Sequence, residues 1–154
     1  MKQTERVKRY LRWAWYYKKK SDFLEERILY LRSKAQKITT TYQDAPVFGG
    51  FQDHRQQDIA GMVDTEREWQ KMSQQCKNKL HEIQFVINML DDPMERIVLD
   101  FHYLHFMNWM DVAIRLDYSI QNINKIHGKA LMHLVEIEKK IMENGGKELF
   151  RWEQ

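Results

Sequence analysis

The stretch DPMERIVLDFHYLHFMNWMDVAIRLDYSIQNINKIHGKALMHL, residues 92–134, decides the fold. Asp92 stands before Pro93 with Glu95 three residues on, which reads as an N-cap, a proline at the first helical position and a capping-box acid. A helix starts there, carries Ile97, Val98, Phe101 and Leu104 on one side, and is expected to end near His105, Phe106 and Met107. Asn108 then caps a short second helix with Trp109, Val112, Ala113 and Leu116 inward, the small Ala113 permitting close approach of a neighbour. The tight turn 117–119 follows, and Ser119 caps a third helix whose Ile123, Ile126, Ala130, Leu131 and Leu134 face inward. This is helix-turn-helix spacing: a turn that holds two helices at a steep angle lets the later one project its N-terminal half into a DNA major groove.

Outward from that stretch, the breakers divide the rest of the chain. Residues 45–50, Ala-Pro-Val-Phe-Gly-Gly, follow the threonines 39–41 and read as a loop, while Asn144, Gly145 and Gly146 read as a helix stop. The tail 147–154, carrying Leu149, Phe150 and Trp152, is left to dock or fray. Before residue 91 the apolar residues keep a seven-residue rhythm. Leu24, Ile28, Leu31, Ala35 and Ile38 form one stripe, extended by Val7, Leu11, Ala14 and Tyr17. Met62, Trp69, Cys76, Leu80, Ile83, Ile87 and Leu90 form a second, with Glu66 and Ser73 as polar interruptions. Either an antiparallel helical hairpin or an intermolecular coiled coil satisfies both stripes. With 6 glycines and 2 prolines in 154 residues and an abundance of helix formers, the chain is expected to be all-α. Three segments are expected: 1–90 for helical assembly, 91–144 for the three-helix module and 145–154 as a tail. Two amphipathic stripes of that length predict a homodimer, with Leu80 and Ile83 in its seam.

The net charge of +3 names no partner, but its distribution is uneven: residues 1–40 carry +8, residues 41–117 carry −6, and residues 119–135 hold Lys125, His127, Lys129 and His133 without an acid. A single cysteine, Cys76, excludes a disulfide framework and a multi-cysteine metal site and suits a reducing compartment. No apolar run reaches a membrane-spanning length and the first twenty residues lack a signal-peptide core, so a cytoplasmic protein without membrane insertion is expected.

The residues 92–99, 109–116, 118–119 and 129–131, in that order and spacing, resemble sigma-70 region 4. Together with the long helical N-terminal half and Ile126-His127-Gly128-Lys129-Ala130-Leu131, they are similar to phage-encoded sigma-like regulators of the ArpU/RinA type. The resemblance implies binding of double-stranded DNA near a promoter, regulation of transcription, contact with host RNA polymerase and a place in the bacterial host cytoplasm. It carries the base-reading positions onto Ile120, Gln121, Asn122, Asn124 and Lys125 in the first turns of the third helix. Gln and Asn bond adenine bidentately and Lys reaches guanine acceptors or phosphate. Ile120 departs from the family's frequent arginine and suggests a thymine-methyl contact instead. Asn108 and Ser119, at the caps, and Lys129, lower on the helix, complete the expected DNA contacts.

Other candidates have plainer explanations. His102 and His105 share a helix side but lack a third metal ligand, so no metal is expected. Cys76 on the stripe reads as a small core hydrophobe. Asp91, Asp92 and Glu95 read as capping groups more readily than as an acid-base cluster. No phosphate-loop, dinucleotide or hydrolase motif occurs, so neither an enzyme nor a cofactor is expected. The block of Tyr10, Trp13, Trp15, Tyr16 and Tyr17 ahead of Lys18, Lys19 and Lys20 leaves three readings open: packing in an interface, contact with nucleic acid, or a membrane surface. The alternative for the whole chain is a protein-binding adaptor or inhibitor that keeps the helix-turn-helix scaffold.

Overall fold

A computed structural model describes residues 2–43 and 51–151, with side chains described outside 41–43 and 51–55. The expected loop at 45–50 and Trp152 lie outside the described residues. The chain is helical, and no strand occurs among the described residues. Its elements are α1 (Gln3–Gln43), α2 (Phe51–Asn88), α3 (Pro93–Leu99), a π-helical turn (Asp100–Leu104), α4 (Trp109–Leu116) and α5 (Ile120–Glu143). None of these helices is long and apolar enough to cross a membrane. α1 runs through the threonines, where Thr39 and Thr40 donate their hydroxyls to the carbonyls of Ala35 and Gln36 at 2.9 and 2.8 Å.

Packing gathers the chain into two units, one made of Met1–Tyr17 with Asn78–Gln154 and the other of Lys18–Lys77. The expected segment 1–90 therefore contributes to both, and the three-helix segment does not stand by itself. In the unit Lys18–Lys77 the pairings run in opposite directions along α1 and α2: Ser21 meets Ser73 at 3.3 Å, Glu25 pairs with Lys77, and Arg32 pairs with Glu66 at 2.6 Å. The two polar interruptions of the α2 stripe are thus matched, one by a hydroxyl and one by a guanidinium. Leu24, Ile28 and Cys76 are buried here. Burial raises the Cys76 thiol pKa against a small opposing pull from Lys20, as suits a core side chain.

In the other unit the two stripes are consumed within the chain. Val7, Leu11 and Ala14 of α1 and Ile83, Val86, Ile87 and Leu90 of α2 share one core with Leu99, Tyr103, Ala130, Leu131, Leu134 and Phe150. Ile83 is buried in this core and Leu80 packs on its border, so neither faces a seam between copies. A smaller core joins Val98, Val112, Ala113 and Ile123, with Phe101, Met107, Trp109, Leu116, Ile120 and Ile126 around it. α3 therefore has neighbours on two sides. Val98 enters the small core and Leu99 the large one, while Ile97, expected inward, is turned to solvent.

The tail docks. Gly145 takes the left-handed φ of 79° after α5, and a Cβ on Gly146 would lie 2.8 Å from the Ile141 carbonyl oxygen and press into its side chain. These two glycines turn the chain back, and Leu149 and Phe150 donate their N–H groups to one Glu138 carboxylate oxygen at 3.0 and 3.2 Å. Arg6 holds the other oxygen, pairs with Glu148, and sits 5.7 Å from the Phe150 ring centroid.

Candidate nucleic-acid interface

Local capping chemistry positions the candidate residues. Asp92 accepts the Met94 N–H at 2.8 Å, Asn108 the Asp111 N–H at 2.8 Å, and Ser119 the Asn122 N–H at 3.1 Å, so α3, α4 and α5 begin where their sequence dictates. Asp117 closes α4 in the left-handed conformation at φ 56°, which aspartate tolerates, and Tyr118 donates its N–H back to the Ala113 carbonyl at 3.0 Å. Glu95 departs from the expected capping box. It is buried and accepts a hydrogen bond from His133 Nδ1 at 2.8 Å, tying α3 to α5. That bond is the main reason the His133 pKa is raised.

Ile123 is fully buried and fixes the rotation of α5. At about 100° per residue, Gln121 and Lys125 then share the outward row, with Asn122 and Asn124 on its two flanks. All four are exposed, as is Lys129. Ile120 is half-buried and packs against the small core, so its side chain serves packing first and the expected thymine-methyl contact loses its main support. Asn108 and Ser119 are exposed but spend a side-chain oxygen on their caps. No acid occupies the first turn of α5, where the helix dipole favours a phosphate.

Behind this row lies an aromatic stack that the residue spacing did not disclose. His102 donates Nδ1–H to the Met107 carbonyl at 2.8 Å and lies parallel to Trp109, 3.6 Å between centroids. Trp109 in turn meets His127 at 4.5 Å, and the Tyr103 hydroxyl lies 2.9 Å from His127 Nε2. The stack joins the π-helical turn, the start of α4 and the middle of α5. Burial first, then the neighbouring His102, Lys8 and Arg12, push His127 down to about 4. Burial also lowers His102 and raises Tyr103 to about 12. Both histidines suit a neutral packing role, and no group of three metal-ligating side chains occurs among the described residues. His105 turns away to Asp100, at 3.2 Å from its carboxylate.

Gly128 sits within α5 with open space around the position of a Cβ. No side chain crowds it, so packing does not account for a residue that costs a helix about 1 kcal/mol relative to alanine. Gly128→Ala is expected to raise stability by about that amount in chemical denaturation. A loss of stability would mean that the backbone there is constrained in some other way.

Comparison of the chain with protein-family profiles, with curated proteins and with solved structures finds no match in any of the three.

Proposed function

We propose that the chain is a phage sigma-like transcription regulator, in which α4, the turn 117–119 and α5 act as a helix-turn-helix on double-stranded DNA. The observation that carries this reading is the exposed row of Gln121, Asn122, Asn124 and Lys125 at the start of a helix locked in rotation by buried Ile123. Amides on the flanks and a lysine between them supply donors and acceptors for base edges, and the acid-free first turn suits the phosphate backbone. Host RNA polymerase is the expected protein partner in the bacterial cytoplasm. A homodimer draws its support from exposed Phe23, Leu29 and Tyr30 of α1, because Leu80 and Ile83 belong to the intrachain core.

The test separates base reading from charge. Asn122→Ala and Asn124→Ala should each cost roughly 1 to 3 kcal/mol on a preferred duplex and little on random DNA, since only base-edge bonds are lost. Lys129→Ala should weaken both targets alike and flatten the log-log salt dependence by about one unit. Fluorescence anisotropy on labelled duplexes reads both effects, with circular dichroism confirming the fold of each variant. Full discrimination retained by both asparagine variants would refute the reading surface.

The adaptor reading has one observation in its favour. Met110 and Ile114 lie one turn apart on α4 at 55% and 72% exposure, an apolar face that duplex DNA does not require. Sequence-specific DNA binding decides between the two.

A further inference from the structure

The aromatic and basic residues of α1 form a surface that the duplex-reading row does not use. Arg9, Arg12, Trp13 and Tyr16 line an open groove of about 550 Å³. Arg12 also borders a second groove of about 350 Å³ with Trp15, His102, Tyr103 and Phe106. Trp13, Trp15 and Tyr16 are 37%, 55% and 44% exposed, and Trp13 meets Tyr16 edge to face at 5.0 Å. Neither lining contains a carboxylate or an aliphatic side chain. Glu5 reaches Arg12 at 3.7 Å, and Arg12 remains 63% exposed.

We propose that these grooves bind single-stranded nucleic acid, its bases stacking on Trp13, Trp15 and Tyr16 and its phosphates pairing with Arg9 and Arg12. The chemistry of the lining selects this occupant. An apolar helix from a partner would seek aliphatic knobs and holes, and a lipid surface would seek an aliphatic face, and the lining offers neither. Aromatic rings interleaved with guanidiniums match an anionic polymer whose monomers each carry a flat face. Duplex DNA hides those faces in its own stack, so the strand must be single. The +8 charge of residues 1–40 adds long-range attraction to the same polymer.

The test uses the full chain and a fluorescein-labelled twenty-residue oligo(dT), followed by anisotropy and by quenching of tryptophan emission. Trp15→Ala is expected to weaken binding by about fivefold or more, the loss of one stacked base, and Trp15→Phe to restore most of it. Replacing Arg9 and Arg12 together with Gln should reduce the log-log salt slope by about 1.4, near 0.7 for each cation. A folded Trp15→Ala variant that binds oligo(dT) as tightly as the wild type would overturn the proposal. So would polyglutamate or phosphatidylglycerol vesicles that bind where oligo(dT) does not. Displacement of oligo(dT) by excess duplex would assign the strand to α5 and overturn the groove as its site. The Trp15→Ala readout stands whatever α5 does with duplex DNA, so the two readings fail separately.

Discussion

Phe150→Ala is expected to destabilise its unit by about 3 to 5 kcal/mol, the range for removing a fully buried aromatic side chain. Phe150 is 1% exposed although it lies five residues from the end of the chain. Its ring meets Tyr10 edge to face at 5.3 Å and faces the Arg6 guanidinium, while its backbone N–H is held by Glu138. Truncation leaves a cavity bordered by Tyr10 and weakens the reason for Arg6, Glu138 and Glu148 to remain together. The burial that supports this network also raises the Tyr10 phenol to about 12. Urea denaturation compares wild type with Phe150→Ala and with Leu149→Ala, whose side chain is only half-buried and should cost less. A change within about 0.5 kcal/mol for Phe150→Ala, the usual range for a surface residue, would mean that the tail does not dock.

Acid should loosen the same unit through His127. Its folded pKa of about 4 lies below the ordinary histidine value of 6.5, so the unfolded chain binds the proton more readily. The stability of the neutral ring is complete above pH 6.5 and falls as the pH drops toward 4. The shift corresponds to about 3 kcal/mol, or roughly 2 after allowing for screening of a ring that water partly reaches. The groups facing it are His102, Tyr103, Lys8 and Arg12, and His102 is lowered in the same direction. His133 acts on the other side of neutrality. Its pKa is raised by Glu95, so that bond contributes fully below 6.5 and is lost as the pH rises through the folded value. The two windows do not overlap, and His133 cannot offset the acid loss. Denaturation at pH 7 and pH 4.5 should show a drop in the wild type that His127→Gln largely removes. An equal drop in both proteins would contradict the assignment to His127.

The starts of α3, α4 and α5 were legible because capping is local chemistry. Asp92, Asn108 and Ser119 each bond an N–H two or three residues away, and Gly145 takes the positive φ that its neighbours would resist. What depends on distant partners was not legible. Glu95 fits a capping box by spacing, yet its partner His133 is 38 residues on. The stripes announced their buried residues but not that Val7 and Ile87 share a core with Phe150. The histidine and tryptophan stack left no periodic signal, since it joins three elements through the π-helical turn. Within the candidate site, the identities of Gln121, Asn122, Asn124 and Lys125 were readable. The half-burial of Ile120 follows from the small core behind it and could not be read from its place in the helix.

Selection from a random duplex pool tests the central claim most directly. The full chain is bound to the pool at two salt concentrations, and the retained DNA is sequenced. Reading by the exposed start of α5 predicts one short motif enriched at both salts, with the total retained falling as salt rises. Uniform retention without a motif, vanishing at the higher salt, would contradict sequence-specific reading and leave the apolar face of Met110 and Ile114 as the surface to pursue.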